Sequence, residues 1–283
     1  EVVLENKIVK EEFLKEENVL DKEFNQSLKI RVDGKTNSNQ KIINYLNNNG
    51  RANFDGDLQN ISRYKFSKIK NFYQYEPEVL FSEQNIIFFN NKGTILKFDE
   101  ESKLIWKKNY YSKSEKKLRP VLQFANNNNK HLVVVDNIAK YYMLDVETGQ
   151  LIWSKNNVAP FNSQIKIFKD KVFVIDFSNT LRCFSLKNGN ELWNVKTENS
   201  LTRSQKKLSM VIVNNTILFN NSIGDISAVN LNNGELLWQL PTQSNLVYDS
   251  TFSLETSDLI TDKKTLYFSN NKNQFFSVDI NTG

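Results

Sequence analysis

The sequence predicts an all-β protein, a β-propeller built from four-stranded antiparallel blades. Two observations lead to this fold class: one phrase recurs along the chain, and short strand-like runs lie between its copies. The phrase reads LDVETGQLIW at 144–153, FSLKNGNELW at 184–193 and NLNNGELLW at 230–238, with KFDEESKLIW at 97–106 as a form without glycine. Its tryptophans are 47, 40 and 45 residues apart, and a period of about 40 to 50 residues is typical of propeller blades.

One repeat unit divides completely into four strands. From Gln164 the chain reads QIKIFK, VFVIDF, LRCFSL and ELWNVK, four short runs rich in Val, Ile and Phe that polar turns separate. The second run of each unit, for example HLVVVD, is apolar at nearly every position. This pattern is expected when both faces of a strand are covered by other sheets, so the units are predicted to stack face to face as blades.

The recurring glycines and tryptophans are interpreted as structural residues. The turn between the third and fourth strands is expected to need a positive φ, which glycine adopts without steric cost. The turn glycines are Gly149, Gly189, Gly234 and Gly283. Each tryptophan begins the outer strand, where its ring is expected to fill the space between adjacent blades. These tryptophans are Trp106, Trp153, Trp193 and Trp238.

The two ends of the chain suggest further boundaries. Residues 1–60 are rich in Lys, Glu and Asn and are predicted to form a polar N-terminal arm, extended or partly helical. Residues 61–283 are assigned to the propeller, with 61–75 as a candidate strand that closes the ring. The fifth unit stops at SVDINTG. We therefore expect a propeller that is truncated here to about five blades and has eight when complete.

Composition excludes several classes of function. No apolar run approaches the roughly 20 residues of a membrane-spanning helix, and the net charge of +5 comes from scattered lysines, so no nucleic-acid binding is expected. His131 is the only histidine and Cys183 the only cysteine. Histidine-based zinc sites and catalytic triads are therefore not expected, and Cys183 is interpreted as a small core residue. The sequence predicts a protein that is not an enzyme and has no cofactor or metal.

The repeated Gly-x-x-x-Trp phrase resembles the PQQ-like β-propeller repeat over residues 78–283. Quinoprotein dehydrogenases of this type resemble the chain less well, because they bind the quinone in an acidic, metal-linked pocket and often have a pair of adjacent cysteines. The order of NNNGRANFDGD, a lead-in strand and tryptophan-closed repeats is similar to the BamB family of bacterial outer-membrane β-barrel assembly. A PQQ-dependent dehydrogenase and a general periplasmic ligand-binding propeller remain as alternatives.

The resemblance to BamB implies a non-catalytic scaffold at the periplasmic face of the bacterial outer membrane, held there by a lipid anchor upstream of Glu1. It implies a BamA-like barrel protein as the partner, with client β-barrels as further partners. Two loops of the family contact BamA. By this resemblance, the partner-binding residues here are Leu201 and Arg203 in SLTRS and Glu255 in SLETS. Thr202 and Ser253 depart from the family pattern at neighbouring positions.

Overall fold

The computed structural model describes residues 40–44, 46–53, 63–64, 79–127, 130–198, 206–242 and 256–283. The chain is a β-propeller in which four four-stranded sheets and one three-stranded sheet form successive blades. Every pairing within a blade is antiparallel and joins strands that follow one another in sequence. The predicted fold class is confirmed. In the part of the chain that is described, no helix is both long and apolar enough to cross a membrane.

The elements follow in chain order. A hairpin comes first, with strands β1 (Gln40–Asn44) and β2 (Asn49–Asn53). Blade 1 contains β3 (Leu80–Ser82), β4 (Asn85–Phe89), β5 (Ile95–Phe98) and β6 (Leu104–Lys108). A short helix follows, α1 (Lys113–Lys117). Blade 2 contains β7 (Leu122–Asn127), β8 (His131–Asp136), β9 (Lys140–Asp145) and β10 (Leu151–Asn156).

The last three blades repeat this order. Blade 3 contains β11 (Lys166–Phe168), β12 (Lys171–Ile175), β13 (Thr180–Ser185) and β14 (Glu191–Lys196). Blade 4 contains β15 (Met210–Val213), β16 (Thr216–Asn220), β17 (Ile226–Asn230) and β18 (Leu236–Leu240). Blade 5 contains β19 (Ile260–Thr261), β20 (Thr265–Ser269) and β21 (Phe275–Asp279). The first strand of each blade is the inner one, and β6, β10, β14 and β18 are outer strands.

The core lies between blades, which explains the continuous apolar runs. In β8, Leu132 and Val134 belong to the cluster shared with blade 1, whereas Val133 and Val135 belong to the cluster shared with blade 3. All four side chains are at most 1% exposed. Because successive side chains of a strand point to opposite faces, a strand covered on both faces must be apolar at every position.

Each complete outer strand has a β-bulge beside its tryptophan. In blade 2, Leu151 pairs with Leu144 and Trp153 with Met143, so that Ile152 is the extra residue. The same irregularity interrupts the pairing of the outer strand in blades 1, 3 and 4. A bulge changes the direction of the following side chain. It leaves Leu151 and Ile152 at the rim, 42% and 44% exposed, while the tryptophan ring turns toward the next blade.

The ring of each tryptophan packs on the turn glycine of the following blade. Gly149 has a φ of +66°, and a Cβ placed on it would lie 2.8 Å from Cδ2 of Trp106. In the same way, Gly189 faces Trp153, Gly234 faces Trp193 and Gly283 faces Trp238. Glycine is required at this position for two reasons: the backbone has a positive φ, and the neighbouring ring leaves no room for a side chain.

The indole N–H groups add a hydrogen bond between blades. Trp106 Nε1 donates to the carbonyl of Val146 at 3.0 Å, and the indoles of blades 2 and 4 donate to equivalent carbonyls at 2.9 and 2.8 Å. Trp193 Nε1 differs, since it is buried without a hydrogen-bond partner. Trp106 is also buried, being only 8% exposed. It therefore contributes burial, ring packing and a hydrogen bond to the contact between blades 1 and 2.

The hairpin of β1 and β2 lies within the residues that the sequence assigned to a polar N-terminal arm. Its turn packs against the inner strands: Ile212 N–H of β15 donates to the Leu46 carbonyl at 2.7 Å, and Thr261 N–H of β19 donates to the Asn47 carbonyl at 3.2 Å. Inner strands have one unpaired edge, and this turn accepts hydrogen bonds from two of them. The propeller therefore includes residues N-terminal to the predicted boundary at 60.

Asn48 extends this attachment to three blades. With a φ of +54°, it directs its side-chain amide to Gln164 Oε1 at 3.0 Å and to the Leu259 carbonyl at 2.9 Å. The Lys166 ammonium of β11 donates to the Asn48 side-chain oxygen. In the sequence, an asparagine-rich turn predicts a solvent-exposed loop. In the structure, its polar groups instead form hydrogen bonds with the inner strands and the residues that precede them. The candidate closing strand at 61–75 lies outside the described residues except for residues 63–64.

Candidate functional site

The propeller has two faces that differ in the segments they carry. The turn between the second and third strands lies beside the connection to the next blade: Asn157 N–H donates to the Ala139 carbonyl at 2.7 Å, and Thr197 N–H donates to the Asn179 carbonyl at 3.0 Å. We call this side the connection face. The opposite side is the turn face, where Val146 N–H joins the two hairpin turns of blade 2 by donating to the Lys130 carbonyl at 3.0 Å.

The three partner-binding residues expected from the sequence fall in two of the segments that connect blades. Leu201 and Arg203 lie in the connection from β14 to β15, and Glu255 lies in the connection from β18 to β19. All three residues lie outside the described residues. The structure does describe the ends from which these connections start and to which they return.

The first connection leaves blade 3 beside Asn179. The side-chain amide of Asn179 donates to the Glu198 carbonyl at 2.8 Å, and its side-chain oxygen accepts the Ser222 N–H of blade 4 at 3.0 Å. Asn179 is fully buried and has a φ of +56°. It therefore joins the start of the connection to two blades at once. The sequence does not indicate this role, because Asn179 is one of many asparagines in polar turns.

The ends of the two connections are bonded to each other. Asn162 donates to the Lys206 carbonyl at 3.0 Å, and the Lys206 ammonium donates to the Thr256 carbonyl at 2.9 Å. Asn220 holds the Thr256 hydroxyl at 2.6 Å from its side-chain nitrogen. Blades 3, 4 and 5 thus converge where the connections return, and the two return points are adjacent.

The second connection leaves blade 4 beside a buried carboxylate. Asp225 Oδ1 accepts the Thr242 N–H at 3.1 Å, and the Thr242 hydroxyl donates to the Gly224 carbonyl at 2.9 Å. Burial raises the pKa of Asp225, and the negative charge of Glu198 raises it further. Glu198 lies at the start of the first connection, and Asp225 binds the start of the second.

A second buried network fixes the connection from blade 1 to blade 2. Tyr111 donates its hydroxyl to Asp136 Oδ2 at 2.6 Å, and the Asp136 Oδ1 atom caps its own turn by accepting the N–H groups of Ile138 at 2.9 Å and Lys140 at 2.8 Å. Burial raises the pKa of Asp136, although these hydrogen bonds oppose the shift. Burial also raises the pKa of Tyr111 well above its ordinary value.

Asp136→Asn is expected to become more stable relative to the wild type as the pH rises. A carboxyl whose pKa is raised on folding binds protons more tightly in the folded state, so its contribution to stability is lost between the ordinary value of 3.8 and the raised value. An asparagine lacks this loss. The measurement is the free energy of unfolding of both proteins from about pH 4 to about pH 7.

Asp145→Asn provides the control for this pH dependence. Hydrogen bonds from Thr148 lower the pKa of Asp145, so its stabilisation is already present above the ordinary carboxyl value. The difference between this variant and the wild type should not rise over the same pH range. A constant difference for Asp136→Asn would contradict the assignment of a raised pKa to Asp136.

The residues considered for chemistry in the sequence lie within the fold. Cys183 is fully buried in the cluster between blades 3 and 4, and burial raises the pKa of its thiol to about 12. His131 begins β8, and its Nδ1 atom is buried without a hydrogen-bond partner. Over the described ranges, no three side chains of His, Cys, Asp or Glu are grouped so that they could hold a metal ion.

Comparison with known families and structures places this fold among PQQ-repeat propellers. The family described as outer membrane protein assembly factor BamB matches residues 91–283. No curated protein sequence matches the chain. The crystal structure of BamB from Moraxella catarrhalis has a TM-score of 0.61 and 19% sequence identity, over 74% of this chain and 62% of that one. The chain thus spans less than two thirds of the length of that structure.

Two other solved structures share the fold. The quinohemoprotein alcohol dehydrogenase ADHIIG from Pseudomonas putida HK5 has a TM-score of 0.53 and 16% identity, over 72% of this chain and 40% of that one. The computationally designed protein Ika8 has a TM-score of 0.55 and 13% identity, over 71% of this chain and 57% of that one. At these identities the likeness concerns the fold alone.

Proposed function

Because the chain belongs to the family of the outer membrane protein assembly factor BamB, we propose that it is a non-catalytic scaffold subunit of an outer-membrane β-barrel assembly machinery. Its partner is a BamA-like barrel protein. It binds this partner through the two connections that carry Leu201, Arg203 and Glu255, and it acts at the periplasmic face of the outer membrane.

The observation that carries this proposal is the convergence of the two connections. Their return points are joined by the 2.9 Å hydrogen bond from Lys206 to Thr256, and Asn179 and Asp225 bind their starting residues Glu198 and Thr242. Because the two connections start and return side by side, we expect one partner to be able to contact both. Loops held by a rigid framework are common sites of protein recognition.

The chemistry expected of the proposed contact residues suits a protein partner. Arg203 has a planar guanidinium with five donors, which matches carboxylates and backbone carbonyls, while Glu255 offers acceptors. Leu201 would add an apolar side chain. Arginine is one of the residue types that most often dominate the binding energy of a protein interface.

The buried ionisable groups support a scaffold role. Asp136 is engaged by Tyr111 and by its own turn, and Asp176 is engaged by Arg182 at 2.7 Å. The Cys183 thiol is enclosed by apolar side chains. Each of these groups has a structural partner or surrounding that accounts for it, which favours an interaction protein over an enzyme.

Charge reversal at the proposed contact residues tests this function. Arg203→Glu and Glu255→Lys, each in the full-length protein, are expected to weaken binding to the periplasmic domains of the same organism's BamA-like protein by about tenfold or more. Lys187→Glu and Glu235→Lys are matched controls, because both residues are exposed on the turn face. The controls should bind as the wild type does.

The outcomes separate the hypotheses. If both contact variants bind like the wild type while folding is unchanged, the proposed contact site is wrong. If each single variant loses affinity and the double variant regains it, Arg203 and Glu255 pair with each other and support the loops. Tight one-to-one binding of PQQ by the full-length protein in the presence of calcium would favour a dehydrogenase instead.

A further inference from the structure

A groove rich in lysine lies on the connection face beside blade 1. Its volume is about 410 Å³. The lining residues are Lys92, Thr94, Lys107, Lys108, Asn109 and Lys116. Four of these six side chains are ammonium groups and none is a carboxylate, so the groove concentrates positive charge.

Hydrogen bonds hold the walls of the groove in place. The Asn109 side-chain amide donates to the Lys92 carbonyl at 3.0 Å and to the Thr94 hydroxyl at 2.9 Å, which joins the end of β6 to the turn between β4 and β5. The opposite wall is α1, whose first turn is closed by a capping box between Ser112 and Glu115. The groove therefore exists before any ligand binds, which lowers the cost of binding.

The carboxylate of α1, Glu115, is paired with groups outside the groove. Glu115 accepts the Ser112 N–H at 2.6 Å and the ammonium of Lys140 at 3.1 Å. Over the described residues, the ion pairs involve Lys97, Lys140 and Arg182 as the cations, and thus none neutralises a lysine of the groove. The positive charge of the groove is available to a ligand.

Comparison among blades shows that the repeat does not require this charge. Lys107 directly follows the tryptophan of blade 1, and the equivalent residues of blades 2, 3 and 4 are Ser154, Asn194 and Gln239. Lys116 lies on α1, the one helix in the described part of the chain. Lys107 and Lys116 therefore add positive charge to blade 1 at positions where the other blades have a neutral residue or, over the described residues, no helix.

We propose that this groove binds a multiply charged phosphate group. Lysine ammonium groups are donors without acceptors and bind phosphate as point charges, and the Thr94 hydroxyl adds a polar group at the same surface. The ligand class is a phosphomonoester or diphosphate, carried by a lipid headgroup or by a soluble molecule. The site is formed by residues of blade 1 and α1, so it does not depend on the function proposed for the two connections.

The test uses the full-length protein and a triple variant, Lys92→Gln, Lys107→Gln and Lys116→Gln. The matched control is Lys130→Gln, Lys169→Gln and Lys187→Gln, which removes the same charge from exposed positions on the turn face. Inorganic pyrophosphate is titrated by calorimetry at low ionic strength. Vesicles of phosphatidylcholine, with and without phosphatidic acid, are tested by co-sedimentation.

The wild type is expected to bind pyrophosphate at one saturable site. The groove variant should bind at least about tenfold more weakly, while the control variant should bind as the wild type does. Retention on phosphatidic acid vesicles that pyrophosphate reverses would identify a lipid headgroup as the source, whereas binding of pyrophosphate alone would identify a soluble phosphate. Equal loss in both triple variants, or saturable binding of neither probe, would overturn the proposal.

Discussion

Trp106→Ala is expected to lower the free energy of unfolding by about 3–5 kcal/mol, the usual cost of removing a large buried aromatic side chain. Trp106 is 8% exposed, and its ring covers Gly149 of the next blade. Its N–H group also bonds to the Val146 carbonyl, which accepts a second hydrogen bond from the buried Lys97 ammonium at 3.3 Å. The variant loses packing between two blades and one of these two hydrogen bonds.

Trp193→Ala is the matched comparison for this prediction. Its ring faces Gly234 in the same manner, but its Nε1 atom has no hydrogen-bond partner and the side chain is only partly buried. Its loss in stability should therefore be smaller. Denaturant unfolding of both variants measures the difference. An unchanged midpoint for Trp106→Ala would mean that the indole does not hold the blades together.

Arg182→Met is expected to lower the free energy of unfolding by about 3–5 kcal/mol, because it leaves a buried charge without its partner. Asp176 is fully buried, and its Oδ2 atom lies 2.7 Å from Arg182 Nε. The guanidinium also bonds to Glu191 at 2.6 Å. Methionine preserves most of the volume of the side chain, so the loss reports on charge rather than on a cavity.

A second substitution distinguishes the unpaired charge from a loss of packing. In the double variant Arg182→Met with Asp176→Asn, the buried carboxylate is gone, while an oxygen remains to accept the N–H of Ser178, which donates to Asp176 at 2.8 Å. The double variant should be more stable than Arg182→Met alone. If the two variants unfold at the same denaturant concentration, the buried charge is not the cause of the loss.

Much of the fold follows from local patterns in the sequence. The strands of blade 3 lie close to the four runs read from Gln164 onward, and the run HLVVVD is β8. These patterns are readable because a strand between two sheets needs apolar residues at successive positions. The Asp residues that precede the turns bond to the turn backbone, a local pattern typical of turns: Asp145 accepts the Thr148 N–H at 2.8 Å, and Asp279 accepts the Asn281 N–H at 2.8 Å.

The candidate site is less accessible to sequence reasoning. The return points of the two connections, Lys206 and Thr256, are 50 residues apart in sequence. No local sequence pattern predicts that they are in contact. Asn48 similarly reaches Leu259 across 211 residues. The lysines of the groove come from a turn, an outer strand and a helix. In the sequence they are spread among the other lysines of the chain, and only the fold brings them together.

The sequence by itself determined the repeat, the strand order within a blade and the positions of the turn glycines, because these depend on residues close together along the chain. Only the tertiary structure decided that each glycine packs against the tryptophan of the preceding blade, that the hairpin turn of residues 46–48 attaches to the inner strands, and that four lysines share one groove. These contacts form between separate blades or segments, and their partners are selected by the stacking of the sheets rather than by spacing in the sequence.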